Sequence, residues 1–123
     1  PRINITQPTN GKIVRTGNIT IDTEVSNFNL TDKLGQANVP GEGHIHYYMD
    51  YPPPTTPGVP AIPPNGTAWA ATANTSYTFA DVPVGIHNFS VELVNNDHTP
   101  LDPPVTSEIQ TFVITYTGGL GGQ

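Results

Sequence analysis

The chain has 123 residues, enough for one domain around one core, and carries a formal net charge of −6 from four basic and ten acidic residues. Arg2, Lys12, Arg15 and Lys33 are too sparse to build the basic surface that nucleic acid or an anionic membrane requires. The absence of Cys removes disulfides, thiolate ligands and thiol chemistry, and fourteen Pro with twelve Gly suit an all-β domain with long turns better than a helical one.

Residues 2–6 (Arg-Ile-Asn-Ile-Thr) alternate as a short strand, and Pro8-Thr9-Asn10-Gly11 reads as a turn in which Asn-Gly supplies the positive-φ positions. Lys12 to Val14 returns briefly to the sheet. Gly17 to Phe28 is a strong strand: Ile19, Ile21, Thr23 and Val25 share one face, while Asn18, Thr20, Asp22 and Glu24 share the other. Asn29 to Gly43 is a loop, and Gly43-His44-Ile45-His46-Tyr47-Tyr48-Met49-Asp50 is the next strand. Tyr51 to Gly66 holds seven of the fourteen prolines; it cannot join a ladder and predicts a stiff, polyproline-like flap.

Thr67 to Ala73 and Thr75 to Phe79 read as two strands around Asn74, and Asp81-Val-Pro-Val-Gly85 as a turn. Ile86 to Val94 alternates clearly: His87, Phe89, Val91 and Leu93 face the core, and Asn88, Ser90, Glu92 and Val94 face out. Residues 95–104 form a loop, Thr106 to Tyr116 the closing strand. The pattern predicts an all-β fold, an immunoglobulin-like antiparallel β-sandwich of about seven strands. Residues 1–116 make one domain, and residues 117–123 a Gly-rich C-terminal tail.

The histidine strand carries the candidate chemistry. Strand alternation puts His44, His46 and Tyr48 on one face and Ile45, Tyr47 and Met49 on the other. The apolar set belongs in the core, so the histidine pair is expected on the opposite, wetter face. In an immunoglobulin-like sandwich this strand and the 86–94 strand are antiparallel neighbours. The start of one then lies beside the end of the other, and His98 converges on His44 and His46. Glu92 is expected next to His46, as a ligand or as an acceptor for an imidazole N–H; Asp97 is a weaker candidate of the same kind.

Three imidazoles with an oxygen donor or water suit Cu(II) or Zn(II), and without thiolate a blue-copper centre is excluded. Imidazoles must lose protons to coordinate, so binding is expected to weaken below about pH 6. Met49 is rejected as a thioether ligand because its parity is inward. His87 has core parity and sits at the opposite end of its strand from His98; it reads as a buried structural histidine bonded to a loop.

Asn-x-Ser/Thr occurs at Asn4, Asn18, Asn29, Asn65, Asn74 and Asn88, six of eleven Asn. Chance would give about two, so the excess points to a glycosylated extracellular or cell-surface protein. No apolar run of ~18 residues is present to span a bilayer. With no initiator Met and no leader-like segment, the chain reads as a processed exported product or a trimmed domain.

Three segments together resemble an uncharacterised group of exported bacterial and archaeal β-domains. These are Gly43-His44-Ile45-His46-Tyr47-Tyr48-Met49-Asp50, Val82-Pro83-Val84-Gly85-Ile86-His87-Asn88-Phe89, and Leu93-Val94-Asn95-Asn96-Asp97-His98-Thr99-Pro100-Leu101. The resemblance spans residues 17 to 115 and implies an exported immunoglobulin-like domain with no settled activity. Cupins also carry His-x-His on a strand. Here, however, no Glu follows His46 by four or five residues, and Pro83-x-Gly85-x-His87 is one residue short of their spacing.

No nucleophile–base pair, paired carboxylate cleft or phosphate loop is evident, so no enzyme is expected. Two functions remain. One is an extracellular module that binds Cu or Zn through His44, His46 and His98. The other is a filament or coat subunit in which Arg2 to Thr6 leaves its own domain and adds to the edge of an identical subunit.

Overall fold

The computed structural model describes residues 1–115, and nine strands lie among these described residues. They are β1 (Arg2–Gln7), β2 (Lys12–Val14), β3 (Ile19–Ser26), β4 (Asn29–Leu30), β5 (Glu42–Met49), β6 (Trp69–Thr72), β7 (Ser76–Phe79), β8 (Gly85–Val94) and β9 (Thr106–Val113). The expected tail, residues 117–123, lies outside the described residues. The expectation of about seven strands undercounts because β4 is a two-residue pairing, too short to alternate, and β2 spans only three residues.

One sheet has the order β1-β3-β7; the other runs β2-β9-β8-β5-β4, with β6 also paired to β5. Both sheets are mainly antiparallel, and the two exceptions, β2 with β9 and β4 with β5, involve the shortest strands. The inner faces meet in one apolar core that includes Ile3, Ile19, Ile21, Ile45, Tyr47 and Phe89. This is an immunoglobulin-like β-sandwich built from the alternation that the sequence carries. Arg2 to Thr6, the segment considered for strand donation, lies within β1 and is paired with β3 of the same chain.

The parity of β5 and β8 is as expected, but the exposure of their outer faces is not. His44, His46 and Tyr48 are 0% exposed, and on β8 Glu92 and Val94 are also 0% exposed; Asn88 is exposed. The cause is the proline-rich segment between β5 and β6, which lies across this face instead of projecting into solvent. Tyr48 Oη donates to the Ala61 carbonyl at 2.6 Å, Ser90 Oγ donates to Tyr51 O at 3.0 Å, and Ala61 N–H donates to His98 O at 2.8 Å. With few backbone donors of its own, the segment offers carbonyls that buried side chains beneath it can use.

Candidate metal centre

His44 and His46 stand two residues apart on β5, so pleating places both rings on the outer face. Their strand starts close against β8 because Gly43 has no side chain: a Cβ there would overlap the Val94 carbonyl oxygen. The register pairs His44 with Val94 and His46 with Glu92, as antiparallel adjacency of these strands requires.

His98 arrives from the turn just past β8. Its backbone is left-handed, with φ of 73°, a conformation in which His is tolerated more readily than most residues. The turn is closed by its own side chains. Asp97 Oδ1 accepts from Thr99 N at 3.1 Å and Thr99 Oγ1 at 2.6 Å, and Asn95 Nδ2 donates to Thr99 Oγ1 at 3.0 Å. Buried Asn96 ties the turn to the loop over residues 31–41 and to the first residue of β5: it donates to Glu42 Oε2 at 2.8 Å and Ala37 O at 3.1 Å, and accepts from Thr31 Oγ1 at 3.1 Å. The Asn-Asn-Asp run within the 95–104 loop is the sequence signal of such side-chain-to-backbone bonding.

The three histidines converge on one another. His44 Nε2 lies 3.2 Å from His46 Nε2 and 3.1 Å from His98 Nδ1, and His46 Nε2 lies 3.0 Å from His98 Nδ1. His46 has a fixed tautomer. Its Nδ1 is 3.1 Å from the Ala61 carbonyl, which can only accept, so Nδ1 carries the proton and Nε2 presents a lone pair inward. Tyr48 Oη sits 2.9 Å from the same Nδ1 and reinforces this orientation.

With one vertex fixed as a lone pair, protons cannot satisfy the triangle. If His44 and His98 both donate to His46, their two N–H groups face each other. If only one donates, two lone pairs face each other. A cation bonded to all three nitrogens removes the conflict, and the spacing suits one. For metal–nitrogen bonds of about 2.05 Å, tetrahedral angles put nitrogens about 3.3 Å apart and right angles put them about 2.9 Å apart. The observed 3.0–3.2 Å falls between. His44 Nε2, His46 Nε2 and His98 Nδ1 would hold such an ion, and three protein ligands would leave room in its coordination shell for water or another donor. The three ligand atoms lie within 4.8 Å of one another and make a cluster that could hold a metal ion.

Burial also sets the protonation of the three histidines. Desolvation, then the charge that a neighbouring imidazole would carry, pushes His44 down to about 4 and His46 down to about 3. Desolvation also lowers His98, against a pull upward from Asp97. The expectation that protons would compete below about pH 6 holds for free imidazole. Here His44 and His46 stay neutral to more acid pH because the flap excludes water from their face.

Glu92 lies directly across from His46, but it is not one of the three clustered ligands. It is fully buried, neither carboxyl oxygen makes a well-formed hydrogen bond, and burial pushes its carboxyl up to about 8 against a smaller downward pull from the Tyr48 hydroxyl. Asp97 is engaged in closing its turn. His87 is in the other half of β8, where Nδ1 meets Asp50 Oδ2 at 2.6 Å and Nε2–H donates to Pro83 O at 2.8 Å, the structural role that its parity implies. Met49 packs against the core. Two neighbours of the centre were not anticipated. Ala61 contributes only backbone groups, and Trp69 on β6 has its ring 5.2 Å from that of His46.

The sequence matches no protein-family model and no curated protein. The fold is similar to that of the fibronectin(III)-like modules of Clostridium thermocellum CbhA. The TM-score is 0.55 and the sequence identity 15%, over 91% of this chain and 94% of that one. At this identity the likeness concerns the fold alone.

Proposed function

We propose that this fibronectin III-like domain is an extracellular, non-enzymatic metal-binding module that holds one Cu(II) or Zn(II) through His44 Nε2, His46 Nε2 and His98 Nδ1. The observation that carries the reading is the triangle of ring nitrogens, which no arrangement of protons satisfies and a single cation does. Imidazole donors without sulfur suit either ion, and the absence of Cys keeps copper away from a thiolate centre. Ligands fixed before the metal arrives lose little freedom on binding, which favours affinity.

The compartment is supported by the six Asn-x-Ser/Thr sites, because all six asparagines are exposed. From a host that attaches N-linked sugar, the intact mass should exceed the 13.1 kDa of the chain by several glycans. A bare mass would remove this support.

The test of the centre is calorimetric titration of the wild type and His98→Ala with each metal. The wild type should bind about one ion per chain. His98→Ala should lose tight binding while keeping its fold, since His98 is only half-buried. Trp69, the chain's one tryptophan, provides a second reading: Cu(II) should quench its fluorescence and Zn(II) should not. Equal affinity in both proteins would refute the three-histidine site.

A further inference from the structure

Among the described residues, the buried side-chain polar atoms without a hydrogen-bond partner are His44 Nδ1, Glu92 Oε1 and Glu92 Oε2. All three lie on one face of two adjacent strands. Glu92 faces His46 directly and is therefore one diagonal step from His44. Diagonal neighbours in an antiparallel pair are roughly 7 Å apart at the backbone, within reach of a long side chain or of one bridging water.

We propose that Glu92 positions His44 for the metal by accepting the proton of its outward nitrogen, Nδ1, directly or through one water. The inference rests on the three-histidine reading and deepens it. A neutral imidazole that gives its Nε2 lone pair to a metal carries its proton on Nδ1. For His46 that proton is taken by the Ala61 carbonyl, and the His98 ring is half-exposed, so water can serve its Nε2. His44 has a buried Nδ1 with no acceptor, and the Tyr48 hydroxyl that meets the Glu92 carboxyl already gives its proton to the Ala61 carbonyl.

Charge points the same way. A divalent ion with three neutral imidazoles leaves two positive charges beneath the flap, and a carboxylate beside them offsets one. Filling the space does not require Glu92: an apolar side chain of similar volume would do so without burying a carboxyl group. Glu92 is a positioning residue in this account and not a ligand.

The test compares wild type, Glu92→Gln, Glu92→Leu and His98→Ala for Zn(II) affinity, by competition with a chromophoric chelator. Glu92→Gln keeps an acceptor and removes the charge; Glu92→Leu removes both. Affinity should fall about tenfold in the first and toward a hundredfold in the second. The metal-free forms of both should melt no lower than the wild type, an outcome opposite to that of removing a structural contact. A second measurement uses the zinc-loaded wild type alone. The His44 Nδ1 proton should be visible by nitrogen-edited NMR and exchange far more slowly than the His98 Nε2 proton.

If both Glu92 variants bind zinc like the wild type while His98→Ala does not, the centre stands and the role of Glu92 is overturned. Fast exchange of the His44 proton overturns it as well, even should a variant fail to fold. If the wild type itself binds no zinc, the centre and the inference fall together.

Discussion

Metal-free protein should unfold in acid because of the histidines that make the site. His44 and His46 are fully buried and held at about 4 and about 3, whereas in the unfolded chain they titrate near the ordinary value of 6.5. Folded-state values below the unfolded one mean that the unfolded chain binds protons first. The stability these residues confer is complete above 6.5 and is lost as pH falls toward 4 and then 3. At about 1.4 kcal/mol per pH unit, each is worth on the order of 3–5 kcal/mol over that window. Their effects are not additive, since each charge opposes the other. A domain of this size has roughly 5–15 kcal/mol in total, so one such loss brings it near its unfolding threshold. Trp69 fluorescence and far-ultraviolet circular dichroism, followed from pH 8 to pH 3, should show a cooperative transition beginning below the ordinary histidine range. His46→Leu should flatten the acid limb, because Leu cannot be protonated. Saturating Zn(II) should move the transition to lower pH, because the metal binds only the folded, deprotonated form. Glu92, pushed up to about 8, works the other way, because between about pH 8 and pH 4.5 the folded state is the one that takes up its proton. Below pH 4.5 that opposition is spent, so a melting temperature constant from pH 4.5 to pH 3 without metal would refute the reasoning.

His87→Ala removes a nearly buried ring bonded to Asp50 and to the Pro83 carbonyl. It should destabilise the domain by about 2–3 kcal/mol in chemical denaturation and leave metal affinity unchanged. Gly43→Ala should lower both the melting temperature and the metal affinity. Its Cβ would meet the backbone of Val94, so β5 must shift where it carries His44, at a strain of about 1–3 kcal/mol. Wild-type zinc affinity in Gly43→Ala would show that the close approach does not position the ligand.

The convergence of the three histidines was legible in the sequence because it follows from period and topology alone. Alternation fixes the shared face of His44 and His46, and antiparallel adjacency of β5 and β8 brings the turn holding His98 to the same end. Burial was not legible, because the element that covers the site has no period to read. A segment with seven prolines declares that it is no strand, yet nothing in it says which face it will cross. The group that locks His46 is the carbonyl of Ala61, a residue whose side chain carries no signal. For the same reason Glu92 could be placed beside His46 from parity, while its isolation from water depends on the flap. The left-handed backbone at His98 was equally hidden; turn closure by Asn95 and Asp97 sets it.

The most direct measurement is a crystal structure of the protein grown with Zn(II), with an anomalous difference map collected at the zinc edge. The account predicts a single peak about 2.0–2.1 Å from His44 Nε2, His46 Nε2 and His98 Nδ1 together. It should stand to one side of the plane of those nitrogens, with His46 Nδ1 still bonded to the Ala61 carbonyl. A peak bound elsewhere, or no peak at this triangle in zinc-saturated crystals, would contradict the central claim.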